Sequence, residues 1–255
     1  VQEPEVTMPD PVDPGPIGTA DDTAIKILFI GNSLTYFNGQ PHLFWYMANA
    51  AGKKLYVDQA TIPSAQLYHH LESDFTKRKI KAQKWDFVIL QEAIGELAFP
   101  DYHQEMIAII QVLKNDILAN NPQTKIIYFL PWASQGGVLS NLRFYTYAEF
   151  QKLLKDGAVA IARKMDLIVA PVGWAWYQVI QEKPEILLFN LDGSHPAPEG
   201  SYLSAGVYYA TIFQETVVNN PYETLLDKSL ANYLQEIASK TVLDSLDYWN
   251  IKKTR

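Results

Sequence analysis

The 255-residue chain has no cysteine, which excludes disulfide frameworks, thiolate zinc sites and cysteine nucleophiles together. It has no basic excess either. Twenty-one Lys and Arg face 28 Asp and Glu, a formal charge of -7, so no cationic stripe exists to displace counterions from a phosphate backbone, and nucleic acid is not an expected partner. The densest basic cluster, Lys77 to Lys84, is short and reads as a solvated helix face. No long hydrophobic run occurs. The stretch Leu167 to Ile180 is broken by Pro171 and Gly173 and falls short of the roughly 20 residues a membrane helix needs, so no transmembrane segment is expected. There is no His-x-x-x-His spacing and no acidic cluster with ligand spacing, so no metal is expected, and no internal repeat is present.

Core-forming residues are also scarce at the start. Residues 1–22 hold five prolines and six acidic residues, the composition of a tether rather than a domain. The expected division is a Pro/acid-rich tether over 1–24 and a single domain over 25–255. The chain begins with Val1, which fits an exported protein (periplasmic, cell-surface or secreted) with its signal segment removed and a lipid anchor upstream of residue 1; an arbitrary starting point fits equally well.

What the chain does have is core: 48% of residues are hydrophobic and 13% aromatic, enough for a large single domain. Short apolar runs at Ile25 to Ile30, Leu55 to Ala60, Phe87 to Leu90, Lys125 to Leu130 and Leu167 to Ala170 read as buried parallel strands. Between them Gln40 to Ala51, Ala65 to Lys81, Tyr102 to Asn120 and Phe144 to Met165 repeat apolar residues at helical spacing. Further helices are expected over Val172 to Glu182, near Glu199 to Glu215 and over Tyr222 to Ser239. The alternation predicts an α/β fold, a flavodoxin-like three-layer α/β/α arrangement on a five-stranded parallel sheet. A longer loop, Pro131 to Arg143, follows the fourth run, where an open sheet places ligand contacts.

Two segments carry chemistry. Ile27 to Ile30 runs into Gly31-Asn32-Ser33-Leu34, which places a hydroxyl at the carboxyl end of the first strand, the edge where such sheets bind ligands. Gly31 permits a tight turn, and the Ser33 N–H near a helix start suits a developing oxyanion; a plain turn or helix cap explains the same residues. Far away, Leu191-Asp192-Gly193-Ser194-His195-Pro196 sets a carboxylate three residues before an imidazole. Within a loop the carboxylate can turn back onto one ring nitrogen and leave the other free as a base. An Asp-Gly turn with an incidental histidine is the alternative.

Gly31-Asn32-Ser33-Leu34 resembles the Gly-Asp-Ser-Leu block of the SGNH (GDSL-type) hydrolases, and Asp192-x-x-His195 resembles their final block, in the same order. The likeness is greatest to a bacterial branch that writes Gly-Asn-Ser first and follows the last block with a Gly-x-Tyr-Leu helix start, here Gly200-Ser201-Tyr202-Leu203. It spans about Ile25 to Phe213. Two weaker blocks lie between. Ser64 occupies the position of a glycine whose N–H serves the oxyanion, and Gln91, in Trp85 to Glu92, stands where many relatives have the Asn of Gly-x-Asn-Asp.

The resemblance implies a cofactor-free serine ester hydrolase. Ser33 is the nucleophile, His195 the base and Asp192 its orienting acid. The N–H groups of Ser33 and Ser64 and the Gln91 amide hold the oxyanion, and Asn32 and Leu34 contact a small-molecule or carbohydrate ester; Trp132, directly after a strand end, is the expected pocket residue. Acetyl groups on carbohydrate are the expected acyl, with lipase or thioesterase action as the enzymatic alternative. A noncatalytic carbohydrate-binding protein on the same scaffold is the rival class, motivated by Ser64 and by Trp132, Trp174 and Trp176. A flavin or nucleotide binder fits less well, because the first loop has one glycine and no nearby lysine. His69 and His70 read as solvated or core residues.

Overall fold

A computed structural model describes residues 8–224 and 226–253. In chain order the first half comprises β1 (Ile17–Gly18), β2 (Ile25–Gly31), α1 (Ser33–Tyr36), α2 (Gln40–Ala50), β3 (Leu55–Thr61), α3 (Leu67–Glu72), α4 (Asp74–Ala82), β4 (Phe87–Leu90), α5 (Ile94–Leu97) and α6 (His103–Asn120). The second half comprises β5 (Lys125–Phe129), β6 (Val138–Ser140), β7 (Arg143–Tyr145), α7 (Tyr147–Met165), β8 (Ile168–Ala170), α8 (Val172–Glu182), α9 (Pro198–Phe213) and α10 (Lys228–Leu243).

The five apolar runs form the parallel strands, in the order β3-β2-β4-β5-β8. Ile27, Leu28, Phe29 and Ile30 are all fully buried, as a central strand covered on both faces requires. Each such side chain contributes about 1.5–3 kcal/mol relative to exposure. Helices α2, α8, α9 and α10 pack among themselves, as do α3, α4, α6 and α7, giving the expected layers around the sheet.

The sheet has six strands rather than five. The two-residue β1 pairs antiparallel with β3, and upstream the Val12 N–H donates to the Thr61 carbonyl at 2.9 Å. Asp13 pairs with Lys79 at 3.0 Å. The described part of the expected tether is therefore laid along the β3 edge, whose open row of backbone groups attracts a partner strand. Residues 1–7 lie outside the described residues.

Other differences follow local chemistry. The expected helix over Ala65 to Lys81 is two, because the Ser73 side chain caps a new start by accepting from the Thr76 N–H. The start of the expected Phe144 helix is strand β7, paired antiparallel with β6. Helix α7 begins only after Thr146, whose hydroxyl forms a capping box with Glu149. The last helix begins at Lys228 rather than near Tyr222, where the Asp227 carboxylate caps it.

Candidate active site

Ser33 follows directly on β2, and the turn that presents it is tightly held. A Cβ on Gly31 would lie 2.5 Å from Gln91 Oε1 and 2.6 Å from Thr35 Oγ1, so only glycine allows this approach. Gln91, fully buried, accepts from the Asn32 N–H at 2.8 Å and from the Thr35 hydroxyl at 2.9 Å. The Asn32 side chain caps α1 by accepting from the Leu34 N–H at 3.0 Å, and its amide donates to the Ala65 carbonyl at 2.8 Å.

The Asp192–His195 loop arrives from 162 residues away. The Ser33 hydroxyl donates to His195 Nε2 at 2.9 Å, and His195 Nδ1 donates to Asp192 Oδ2 at 2.6 Å. The other Asp192 oxygen accepts from the Ser194 and His195 N–H groups, each at 2.9 Å. The hydrogen bond from the imidazole, then those from the two backbone amides, bring the Asp192 carboxyl down to about 2. An ionised Asp192 fixes the imidazole tautomer with the proton on Nδ1, which leaves Nε2 able to take the hydroxyl proton.

The loop is buttressed on several sides. Trp132 Nε1 donates to the Ser194 carbonyl at 2.8 Å, and the Gln135 N–H donates to the Gly193 carbonyl at 2.8 Å. Trp132 lies against Trp176 with ring centroids 4.0 Å apart and planes 5° from parallel. Gly200 makes room for Trp176, since a Cβ there would collide with the indole ring. Phe37 stacks on the His195 ring at 4.6 Å, and the Asn38 amide donates to the Pro196 carbonyl at 2.7 Å and to Ser201 Oγ at 3.0 Å.

Four expected site residues are given other roles by this geometry. The Gln91 amide nitrogen donates to the Glu92 carbonyl at 2.7 Å and its oxygen holds the nucleophile turn; with the side chain fully buried, it braces that turn rather than facing an oxyanion. Trp132 is fully buried and offers no face to a substrate; it braces the histidine loop. Asn32 and Leu34 are each 5% exposed. The Asn32 amide is engaged by backbone and the Leu34 side chain sits in the core, so neither is a substrate contact.

Ser64 takes the conformation its position requires. Its φ is +59°, the left-handed region that glycine enters freely and serine enters at a cost of roughly 1–2 kcal/mol. Bonds on either side, Ile62 N–H to the Gly31 carbonyl at 3.1 Å and Asn32 amide to the Ala65 carbonyl, tie its turn to that of Ser33. The backbone N–H groups of Ser33 and Ser64 make no hydrogen bond among the described residues, which leaves two donors free on the two linked turns.

Two buried titratable groups support these turns, and the sequence pattern assigned neither a role. His70 is 1% exposed; its Nε2 donates to the Gly31 carbonyl at 3.1 Å and its Nδ1 accepts from the Thr76 hydroxyl at 2.7 Å. Burial brings it down to about 4. Glu92 is 4% exposed and accepts from the Leu67 N–H at 3.0 Å and the Ala93 N–H at 2.6 Å. Burial outweighs those two bonds and pushes it up to about 7. An acid at the carboxyl end of an apolar strand is the one sequence signal that could have marked Glu92.

No family model matches the chain, and no curated protein matches it. Solved structures do. A DUF4886-family protein from Bacteroides uniformis superposes with a TM-score of 0.75 at 18% identity, over 86% of this chain and 95% of that one. A provisional SGNH hydrolase from Slackia heliotrinireducens gives 0.58 at 23% identity, over 74% and 99%. An acetylxylan esterase from Geobacillus stearothermophilus gives 0.52 at 21% identity, over 75% and 94%. With its parallel sheet and helical layers matched over most of the length of each of these proteins, the chain has the SGNH hydrolase fold.

Proposed function

We propose that the protein is a serine ester hydrolase acting through Ser33, His195 and Asp192. The observation that carries this reading is the unbroken hydrogen-bond chain from the Ser33 hydroxyl through His195 to Asp192, at the carboxyl end of the sheet. His195 Nε2 takes the hydroxyl proton as Ser33 Oγ attacks the ester carbonyl, and Asp192 stabilises the imidazolium. The oxyanion forms between the N–H groups of Ser33 and Ser64. The imidazolium then protonates the leaving alcohol, and water, activated by the same base, releases the acid.

Small acyl esters of carbohydrates, acetyl above all, are the proposed substrates. The fold-level likeness to an acetylxylan esterase supports this choice. The carbohydrate-binding alternative is weakened, since Ser64 adopts the glycine-like φ and Trp132 and Trp176 are enclosed. Among the described residues no helix is long and apolar enough to cross a membrane; export remains part of the proposal.

The test is hydrolysis of 4-nitrophenyl acetate, followed by acetate release from acetylated xylan, by the protein and its Ser33→Ala and His195→Ala variants. Rates in both variants should fall by at least ~10⁴-fold. Folded variants as active as the parent, or a parent with no turnover on any ester, would refute the assignment.

A further inference from the structure

At the opposite edge of the sheet from Ser33, a cavity of about 350 Å³ opens between the amino ends of β4, β5 and β8 and the last turn of α9. Its chemistry is divided. Buried Ile126, Leu167 and Ile212 form an apolar floor, while Lys114, Lys125 and Lys252 line it with a single carboxylate, Asp166. Asp166 is engaged by Lys252 at 3.2 Å. Lys114 donates to the Met165 carbonyl at 2.5 Å and Lys125 lies 5.6 Å from the centre of the Phe87 ring, and neither has a salt bridge among the described residues. Asp166 also interacts electrostatically with Lys114, so three ammonium groups face one carboxylate around an apolar hollow in a chain whose net charge is -7.

A second observation points the same way. Thr211, 2% exposed, lines this cavity, and its hydroxyl has no hydrogen-bond partner among the described residues. A buried polar group left unpaired in a native fold calls for an explanation, and a ligand is one. The same hollow supplies the apolar surface, the convergent polar atoms and the size of a small-molecule site.

We propose that this cavity binds an amphipathic monocarboxylate, its chain on the apolar floor and its head between Lys114 and Lys125 within reach of the Thr211 hydroxyl. Lysine ammonium groups are point charges suited to a single anionic head. The apolar floor disfavours inorganic anions, and at about 30 Å³ per water-sized unit the volume holds roughly a dozen non-hydrogen atoms, the size of decanoate. The site lies apart from the triad and does not depend on the hydrolase reading.

Decanoate labelled with carbon-13 at the carboxyl is titrated into the intact protein and followed by NMR and calorimetry. Saturable one-to-one binding is expected, equal in the Ser33→Ala variant, at least tenfold weaker in Lys125→Glu and several-fold weaker in Thr211→Val. Decanol and inorganic phosphate should each bind at least tenfold more weakly than decanoate. Thermal unfolding of each variant checks the fold; Thr211→Val removes a hydroxyl that has no partner among the described residues, so it should fold normally. No saturable binding, binding lost in Ser33→Ala, or binding unchanged in both Lys125→Glu and Thr211→Val would overturn the proposal. Decanol or phosphate binding as tightly as decanoate would do so as well.

Discussion

Replacing Glu92 by Gln should change how stability depends on pH, and the sign follows from the two buried groups behind the nucleophile turn. Glu92 titrates near 7 in the fold against an ordinary value of 4.5. Between those values the folded state keeps a proton that the unfolded chain releases, so its contribution is complete below pH 4.5 and is lost as pH rises to 7. At 1.36 kcal/mol per pH unit that loss is about 3 kcal/mol. His70 does the reverse, titrating near 4 against 6.5, so its contribution is present above 6.5 and is lost as pH falls towards 4. From pH 4.5 to 6.5 the two slopes oppose each other and largely cancel. Glu92→Gln removes only one of them. Urea unfolding of both proteins at pH 4.5, 5.5, 6.5 and 7.5 should therefore show the variant gaining on the parent as pH rises, by about 3 kcal/mol across the series. A difference constant within about 0.5 kcal/mol would refute the claim that burial holds a proton on this carboxyl.

Ser64→Gly should raise stability by about 1 kcal/mol in chemical denaturation by relieving the positive φ, with esterase activity retained. Asp192→Asn should leave the fold intact and lower kcat by about 10⁴-fold in the 4-nitrophenyl acetate assay, because the amide no longer fixes the imidazole tautomer. Gln91→Leu strands the Asn32 N–H and the Thr35 hydroxyl in the core and should cost about 2–5 kcal/mol by urea unfolding. Trp132→Phe keeps an aromatic ring against Trp176 but removes the bond to the Ser194 carbonyl. It should lower kcat more than it raises KM, which steady-state kinetics on the same ester will read.

The five parallel strands were legible because a strand covered on both faces must be apolar throughout, and Ile27 to Ile30 shows this without ambiguity. The meeting of Ser33 with His195 could be expected from their blocks and the fold those blocks implied. Residues whose role depends on which atom of a group finds a partner were not legible. Gln91 carries both a donor and an acceptor, and only the packed neighbours decide that its oxygen faces the turn and its nitrogen faces Glu92. Trp132 was expected at a pocket wall because it follows a strand, yet stacking on Trp176 encloses it. Phe37 and Asn38 carry no pattern at all; they matter through contacts to a loop far away in the chain. Two-residue β1 is too short to show a period, and its pairing is fixed by the open edge of β3.

The bond between Ser33 and His195 joins residues 162 positions apart, which sets an order of events during synthesis. A ribosome completes the nucleophile turn, and the strands that support it, long before it polymerises the base. Up to that moment the nascent chain holds an unactivated hydroxyl with chemistry no different from that of any other serine. On the proposed mechanism, reactivity begins only when the segment entering α9 docks against the stretch that follows Ser33, so a chain truncated before His195 would leave the esters around it untouched.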